Sequence, residues 1–329
     1  MTGPERASSP PLFIVGSGRS GTTMLRLMLD AHPDLAIPPE SHFVPRMHAI
    51  RRRFERGGRL DAMSLAEAVF PQFRFREWRI PADRVRERVA ALQDPLFADV
   101  MEAFFLAYAD EHGASRWGDK TPGYVLEMPL LAGLWPEARF VHLFRDGRDV
   151  ARSFMSRGWA RHLPEAAELW AKRTALGREV GGRLGSERYL EVRYEDLVVE
   201  GGEPELRRIC EFVGLDLRPE MHTYYERRGD MLTDKEQRHH EHEGKPPTAG
   251  LRDWRTEMAP ADVAVFEAIA GDTLTAFGYE RASPDPPAAA RLRAGVGRAR
   301  TAAFRSGRRL RHKVLLTLRP NMLPPPRRW

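Results

Sequence analysis

Apolar residues along this chain fall into short runs that are separated by stretches with helical spacing. Four short runs predict β-strands, at residues 11–15, 35–37, 139–144 and 188–192. Longer stretches with apolar residues three and four positions apart predict helices, at residues 22–29, 81–92, 96–111, 164–184 and 204–213. Alternation of strands and helices indicates an α/β fold with a central parallel sheet flanked by helices.

The pattern also divides the chain into segments. Residues 11–280 are expected to form one domain, after a flexible N-terminus at residues 1–10. Residues 43–111 contain no convincing strand and predict a helical insertion. A proline-rich stretch at residues 283–287 stops the helical pattern where the composition changes. Residues 281–329 are therefore interpreted as a basic C-terminal tail rich in proline and arginine.

Charge is distributed unevenly between the tail and the rest of the chain. The whole chain has a net charge of +6, with 52 Lys and Arg against 46 Asp and Glu. Residues 281–329 carry 13 of the basic residues and one acidic residue, so 39 basic and 45 acidic residues remain elsewhere. Such a tail can bind an anionic membrane surface or another polyanion electrostatically, so a non-catalytic binding protein that acts through the tail is one alternative. A disordered solubilising segment is the other. No sequence-specific nucleic-acid partner is expected.

Composition points to a globular protein of a reducing compartment. With 329 residues, 42% hydrophobic and 30% charged, the chain can bury a large core. No apolar run approaches the roughly 20 residues of a membrane span, and residues 1–10 lack a signal-peptide pattern. Cys210 is the only cysteine, so no intramolecular disulfide can form, and its helical context predicts a core position. A cytoplasmic location is expected, peripheral at the inner membrane face if the tail binds lipid.

A glycine-rich loop lies between the first predicted strand and the helix at residues 22–29. Its sequence, GSGRSGTT at residues 16–23, fits the P-loop pattern except that Thr22 replaces the lysine. A strand, a glycine loop and a helix N-terminus together direct backbone N–H groups at an anion. Without the lysine, phosphoryl transfer from ATP is disfavoured, and Arg19 supplies a cation instead. The loop predicts binding of another activated nucleotide; a P-loop kinase and a tight turn without ligand are the alternatives.

Further motifs make the chain resemble a known family. They occur in the family's order as FIVGSGRSGTT, DAHPD, WGDKTP, FVHLFRDGRDV and RYEDL, at residues 13–23, 30–34, 117–122, 140–150 and 193–197. The chain resembles sulfotransferases that use 3′-phosphoadenosine-5′-phosphosulfate (PAPS), and is most similar to the tyrosylprotein sulfotransferases and their bacterial relatives. The resemblance implies an enzyme that moves a sulfuryl group from PAPS to a hydroxyl or amine by in-line transfer, with a general base and without a metal.

The resemblance also assigns residues to the donor. It implies that the 5′-phosphosulfate is held by Arg19, Ser20, Gly21, Thr22 and Thr23. The 3′-phosphate is assigned to Arg145, Ser153 and Arg157, and the last two are four residues apart on one predicted helix face. A structural network of arginines and aspartates around Arg145 is the alternative.

Two further positions resemble the family's nucleotide contacts. Tyr194 begins the YEDL motif, where a nucleotide contact and a packed core tyrosine are both compatible with the sequence. Lys245, together with Trp254 and Arg255, is similar to the segment that covers the cofactor in the family.

The catalytic residues implied by the resemblance are Arg19, Lys120 and a general base. Lys120 lies at the edge of a strand, and the family has a lysine there beside the bridging oxygen of the donor; a surface lysine is the alternative. Glu40 is the favoured base, although the tyrosylprotein enzymes have two adjacent acidic residues here and this chain has Pro39 in the first position. His42 could replace Glu40 as the base. Alternatively, Glu40 and Ser41 simply open the next helix.

The acceptor is left open by the sequence. The predicted insertion is rich in arginines and aromatic residues that could shape an acceptor pocket, among them Arg51, Arg52, Arg53, Arg74, Arg76, Phe70, Phe73, Phe75 and Trp78. Such a surface suits a small molecule, a glycan or a peptide. The sequence HHEHE at residues 239–243 lacks the spacing of a metal site and predicts a solvated loop, so no metal is expected.

Overall fold

The fold is built on a five-stranded parallel sheet. The computed structural model describes residues 9–226 and 253–318. The strands are β1 Leu12–Gly16, β2 Leu35–Ala36, β3 Glu55–Arg56, β4 Arg59–Leu60, β5 Arg116–Lys120, β6 Arg139–Phe144 and β7 Tyr189–Arg193. In the sheet order β2-β5-β1-β6-β7, β1 lies in the centre. Strands β5 and β6 flank it, and all three end at the same edge. The predicted α/β fold with a central parallel sheet is confirmed.

Helices cover both faces of this sheet. In the described part of the chain they are α1 Thr22–Asp30, α2 Val44–Ile50, α3 Ala62–Glu67, α4 Phe73–Arg76, α5 Ala82–Ala90, α6 Phe97–Glu111, α7 Met128–Leu134, α8 Gly147–Ser156, α9 Leu163–Leu184, α10 Tyr194–Val198, α11 Glu203–Val213, α12 Trp254–Glu257, α13 Pro260–Ala276 and α14 Ala288–Leu318. The helices predicted at residues 22–29, 96–111, 164–184 and 204–213 agree with α1, α6, α9 and α11 to within one residue at each end.

Alternate residues of β1 belong to two different cores. Phe13 and Val15 pack into the core on the face of α6 and α7, whereas Leu12 and Ile14 pack into the core of α1 and α11. Successive side chains of a strand point to opposite faces, so the central strand of a covered sheet is apolar throughout. Cys210 is buried in the second core, as the helical pattern predicted, and burial raises the pKa of its thiol to about 11.

Residues 43–111 form helices α2 to α6, and their aromatic residues mainly fill the core. Phe75 and Trp78 are buried against Phe104 and Phe105, while Phe73 keeps 62% of its surface exposed. The expectation that Phe75 and Trp78 line a surface pocket is therefore wrong, because they close the core between the insertion and the sheet.

A small hairpin interrupts the helical insertion. Strands β3 and β4 pair antiparallel around Gly57 and Gly58, whose φ angles of 57° and 80° are both positive. Two adjacent residues with positive φ form the tight hairpin turn that matches strand twist, and glycine adopts them without steric cost. The prediction that this region holds no strand is wrong, since a Gly-Gly turn needs only two residues on each side.

The first part of the predicted tail forms the long helix α14. Its buried residues Ala290, Ala294 and Thr301 lie on one side, and the helix contacts α9 and α13. A Cβ at Gly297 would come within 2.3 Å of the Pro164 side chain. The helix is therefore packed on the body of the protein along residues 288–301. Among the described residues, none of the helices has the length and apolar character needed to cross a bilayer.

Close packing of α9 on the sheet generates a test of the fold. A Cβ at Gly177 would lie 2.4 Å from the His142 ring, which is fully buried on β6, whereas a Cβ at Gly182 of the same helix would meet nothing within 4 Å. Gly177→Ala should lower the free energy of unfolding by about 1–3 kcal/mol through overpacking. Gly182→Ala should leave it unchanged or raise it by up to about 1 kcal/mol. Urea unfolding followed by circular dichroism measures both; equal effects would contradict the packing.

Candidate functional site

The glycine loop makes a tight passage from β1 to α1. Gly16 has φ 152°, and a Cβ there would lie 2.2 Å from the carbonyl oxygen of Leu143 on β6. Gly21 has φ 91°, and a Cβ there would lie 2.3 Å from the ring of Tyr194. Both positions require glycine because the neighbouring strand and ring occupy the space of a side chain. The loop therefore follows the backbone path that directs N–H groups of the α1 N-terminus toward the carboxyl edge of the sheet.

Arg19 links this loop to helix α8. Its Nε donates to the Ser153 hydroxyl at 3.0 Å, and its φ of 69° is unusual for a residue other than glycine. Ser153 lies on α8, while Arg157 follows the end of the helix as its C-terminal cap rather than lying within it. The structure thus brings together a residue assigned to the 5′-phosphosulfate and one assigned to the 3′-phosphate.

Arg145 lies at the end of β6 between a carboxylate and an aromatic ring. Its Nη2 donates to Asp149 Oδ2 at 3.2 Å, and its guanidinium stands 4.4 Å from the centre of the Tyr194 ring. Burial raises the pKa of Asp149 to about 6 despite the charge of Arg145. The other Asp149 oxygen accepts from the Trp254 backbone N–H at 2.9 Å. Helix α12, which begins at Trp254, is therefore attached to the helix that carries Ser153.

Beside Arg145 lies a second network that is structural. Arg148 is buried, pairs with Asp146 and Glu267 at 2.7 Å each, and stacks 3.6 Å from the Trp254 ring. Arg148 therefore joins α8 to α13, because Glu267 lies on α13. A cavity of about 430 Å³ lies next to it, with Arg145, Tyr194 and Trp254 in its wall.

Lys120 is a deeply buried residue of the candidate site. It ends β5 with 1% of its side chain exposed, so it is not a surface lysine. Its Nζ donates to Glu40 Oε1 at 2.9 Å and to the Thr23 hydroxyl at 3.2 Å. A lysine side chain thus joins Thr23, at the end of the glycine loop, to the candidate base.

Glu40 is surrounded by groups that stabilise its negative charge. Besides Lys120, His42 Nε2 lies 2.7 Å and Arg74 Nη2 lies 3.7 Å from Glu40 Oε2. Burial alone would raise the Glu40 pKa, but Lys120, the His42 hydrogen bond and Arg74 together hold the pKa well below its usual range. The carboxylate is therefore ionised at neutral pH. The two candidate bases, Glu40 and His42, are thus hydrogen-bonded to each other.

A buried cluster of hydroxyl and carboxyl groups lies next to Glu40. Ser41 donates its backbone N–H to Thr121 Oγ1 at 3.1 Å, and its hydroxyl contacts Asp119 and, at 2.7 Å, the Tyr124 hydroxyl. Thr121 also donates to Asp119 Oδ1 at 2.6 Å. The sequence signal for this cluster is the WGDKTP motif, which contains Asp119 and Thr121. The alternative that Glu40 and Ser41 open a helix is wrong, because α2 begins at Val44 with Phe43 as its N-cap.

Some predicted features fall outside the described residues, namely Lys245 and the HHEHE sequence at residues 239–243. Within residues 9–226 and 253–318, no group of three or more His, Cys, Asp or Glu side chains is arranged to hold a metal ion.

Asp119 provides a pH test of this site. Burial raises its pKa from 3.8 to about 7. The folded state then binds more protons than the unfolded state between about pH 4 and 7, so this group makes unfolding easier as pH rises, by at most about 1.4 kcal/mol per pH unit. Asp119→Asn should remove that contribution. The stability of wild type relative to the variant, from urea unfolding at several pH values, should therefore decline from pH 4 to 7. Parallel curves would contradict the buried titration.

Comparisons with known proteins agree with this geometry. A sequence model of the sulfotransferase family matches residues 10–219. Similar sequences include protein-tyrosine sulfotransferase 1 of Danio rerio, 32% identical over 150 residues, which are 45% of this chain and 36% of that protein. Protein-tyrosine sulfotransferase 2 of Gallus gallus is 28% identical over 214 residues, 63% of this chain and 51% of that protein. The chain thus spans about half or less of the length of these curated relatives.

A solved structure extends the likeness over most of the chain. The sulfotransferase domain of the Synechococcus PCC 7002 olefin synthase superposes with a TM-score of 0.59 at 26% identity, covering 85% of this chain and 98% of that domain. The family match covers more than half of the chain and includes the glycine loop, Glu40, Lys120, Arg145 and Ser153. By sequence and by fold, this chain belongs to the sulfotransferase family.

Proposed function

We propose that the protein is an enzyme that transfers a sulfuryl group from PAPS to a hydroxyl or amine acceptor without a metal ion. One observation carries the proposal. Lys120 Nζ lies within hydrogen-bond distance of both Thr23, in the donor loop, and Glu40, the candidate base. A cation between a phosphate-binding loop and an ionised carboxylate is placed to act on both partners of a group transfer.

The donor loop favours PAPS over ATP. Thr22 occupies the position at which ATP-using P-loops have a lysine, and Arg19 supplies a guanidinium from within the loop. Arg145, which directly follows β6, and Ser153, which Arg19 contacts, carry donors that would bind a second phosphate group. Gly16 and Gly21 allow the tight path of the loop between β1 and α1, and backbone N–H groups at the N-terminus of α1 would hold the phosphosulfate. A kinase is not supported, because the P-loop lysine is absent and the matching family model is that of sulfotransferases.

The chemistry follows from charge placement. Glu40 would accept the proton of the acceptor hydroxyl. Because its pKa is held low, proton transfer becomes favourable only as the acceptor oxygen forms its bond to sulfur, so the two events go together. Lys120 would stabilise the negative charge that develops on the leaving bridging oxygen, and Arg19 the charge on the sulfuryl group. His42 would hold Glu40 through its 2.7 Å bond, which favours Glu40 as the base.

For the acceptor we propose a peptide or protein tyrosine, because the similar curated proteins are named protein-tyrosine sulfotransferases. Phe73, exposed beside Arg74, offers an apolar surface within reach of the Glu40 region. Small-molecule and glycan acceptors are separated from this proposal by a transfer assay with labelled PAPS against each class.

Nucleotide selectivity tests the proposed donor. Without Mg²⁺, calorimetry should give at least about tenfold tighter binding of adenosine 3′,5′-bisphosphate than of ADP, because one charge-assisted hydrogen bond to the 3′-phosphate contributes about 1.5–3 kcal/mol. Ser153→Ala should reduce this ratio. Ser156→Ala is the matched control. Ser156 is exposed on the same helix, and its hydroxyl donates to the Ser153 carbonyl. Equal affinities in wild type would overturn the assignment.

We further propose that the C-terminal segment binds an anionic membrane surface, which would place a cytoplasmic enzyme at the inner membrane face. Support comes from charge and exposure. Residues 288–318 contain nine Lys and Arg and no acidic residue, and Leu292 and Val296 are exposed on α14. Each basic residue near such a surface contributes about 1 kcal/mol, less at high salt.

Charge removal tests this better than truncation, because a chain ending before α14 would lose the buried residues Ala290, Ala294 and Thr301. Replacing Arg308, Arg309, Arg311 and Lys313 with glutamine should reduce co-sedimentation with phosphatidylserine vesicles at low salt by tenfold or more. The control replaces Arg51, Arg52, Arg53 and Arg56 in the insertion, an equal loss of charge. The same loss in both variants, or none in either, would contradict a role for the tail.

A further inference from the structure

The segment that carries Glu40 is attached to the end of β5 residue by residue. Glu40 pairs with Lys120 at 2.9 Å, and the next residue, Ser41, donates its N–H to the next residue, Thr121, at 3.1 Å. The two segments are 80 residues apart in sequence. Because the Ser41 bond involves the backbone, it sets the position of the chain itself and not only of a side chain.

Asp119 completes this attachment. One of its oxygens accepts from Thr121 at 2.6 Å, and the other accepts from the Ser41 hydroxyl. The exposed fractions of Ser41, Thr121 and Asp119 are 0%, 0% and 1%. Buried hydrogen bonds of this kind are costly to break because the groups left behind have no water to replace them.

The same segment is held from its other side and is strained. Trp78 of the insertion donates its ring N–H to the Pro39 carbonyl at 2.8 Å. His42 has φ 51°, a left-handed conformation that costs about 1 kcal/mol or more outside glycine. A strained residue persists only when its surroundings determine its position. The contacts of Pro39 and Ser41 therefore hold Glu40 and His42 in one arrangement.

We propose that Thr121, with Ser41 and Asp119, is a positioning residue that sets the distance between Glu40 and Lys120. The role rests on the proposed sulfuryl transfer and adds residues that the proposed mechanism assigns to neither donor nor acceptor. The Thr121 hydroxyl is the central group, since it accepts from the Ser41 backbone and donates to Asp119. Its removal takes away the bond from the Ser41 backbone and loosens the segment that carries Glu40, whereas the bond between Arg19 and Ser153 does not involve Thr121. A displacement of about 1 Å in a reacting group can cost on the order of a hundredfold in rate.

Three variants separate positioning from stability. Thr121→Val keeps the side-chain shape but removes the hydroxyl, and Thr121→Ser keeps the hydroxyl. Thr301→Val is the matched control, because Thr301 is also 0% exposed and its hydroxyl donates to the Gly297 carbonyl in α14. Thr121→Val should lower the turnover number for sulfuryl transfer at least tenfold, with the Kd for adenosine 3′,5′-bisphosphate changed less than twofold. Thr121→Ser should retain turnover within about threefold, and Thr301→Val should match wild type.

Two results would overturn the proposal: equal turnover of Thr121→Val and Thr301→Val, or turnover of Thr121→Ser as low as that of Thr121→Val. A second readout does not depend on catalysis. In crystal structures of the variants, the 2.9 Å contact between Glu40 and Lys120 should be lost in Thr121→Val and kept in Thr121→Ser. If wild type transfers no sulfuryl group from PAPS, the proposed function fails, and these structures alone decide whether Thr121 positions the pair. A contact that persists in Thr121→Val refutes the positioning role.

Discussion

The ammonium group of Lys120 lies inside the fold with 1% of its side chain exposed, and much of the surrounding structure serves to pair it. A charge at this depth is tolerated only with close partners, because desolvation costs several kcal/mol. Its partners include Glu40, after β2, and Thr23, in the first turn of α1. The need to pair one charge therefore ties three separate segments together, and the same three segments carry the donor loop, the electrostatic catalyst and the base that we propose.

The parallel sheet makes this meeting possible. With β1 between β5 and β6, the glycine loop, Lys120 and Arg145 all lie at the carboxyl ends of adjacent strands, where α/β proteins bind ligands. The loop can pass so close to β6 only because Gly16 leaves room for the Leu143 carbonyl. Fold and site thus depend on the same glycines.

The two proposed halves of the site are built differently. On the donor side, Arg19 and Arg145 supply positive charge, and Arg19 contacts Ser153. The bond from Trp254 to Asp149 attaches α12 to the same helix, α8. On the acceptor side, Glu40 lies in a strained segment held by Trp78 and by buried hydroxyl groups. Such rigidity suits a reaction that depends on placement and on charge rather than on a covalent intermediate.

The sequence by itself determined the alternating elements, the glycine loop and the family, because these depend on local periodicity and on motifs within single segments. Strand β6 has the predicted bounds, and α1 begins at the predicted Thr22. What the sequence could not give depends on contacts between distant segments. Only the tertiary structure made Phe75 and Trp78 core residues, packed part of the basic tail on α9, and joined Ser41 to Thr121 across 80 positions. A hydroxyl becomes a positioning group only where folding removes water and brings a partner, and local sequence records neither condition.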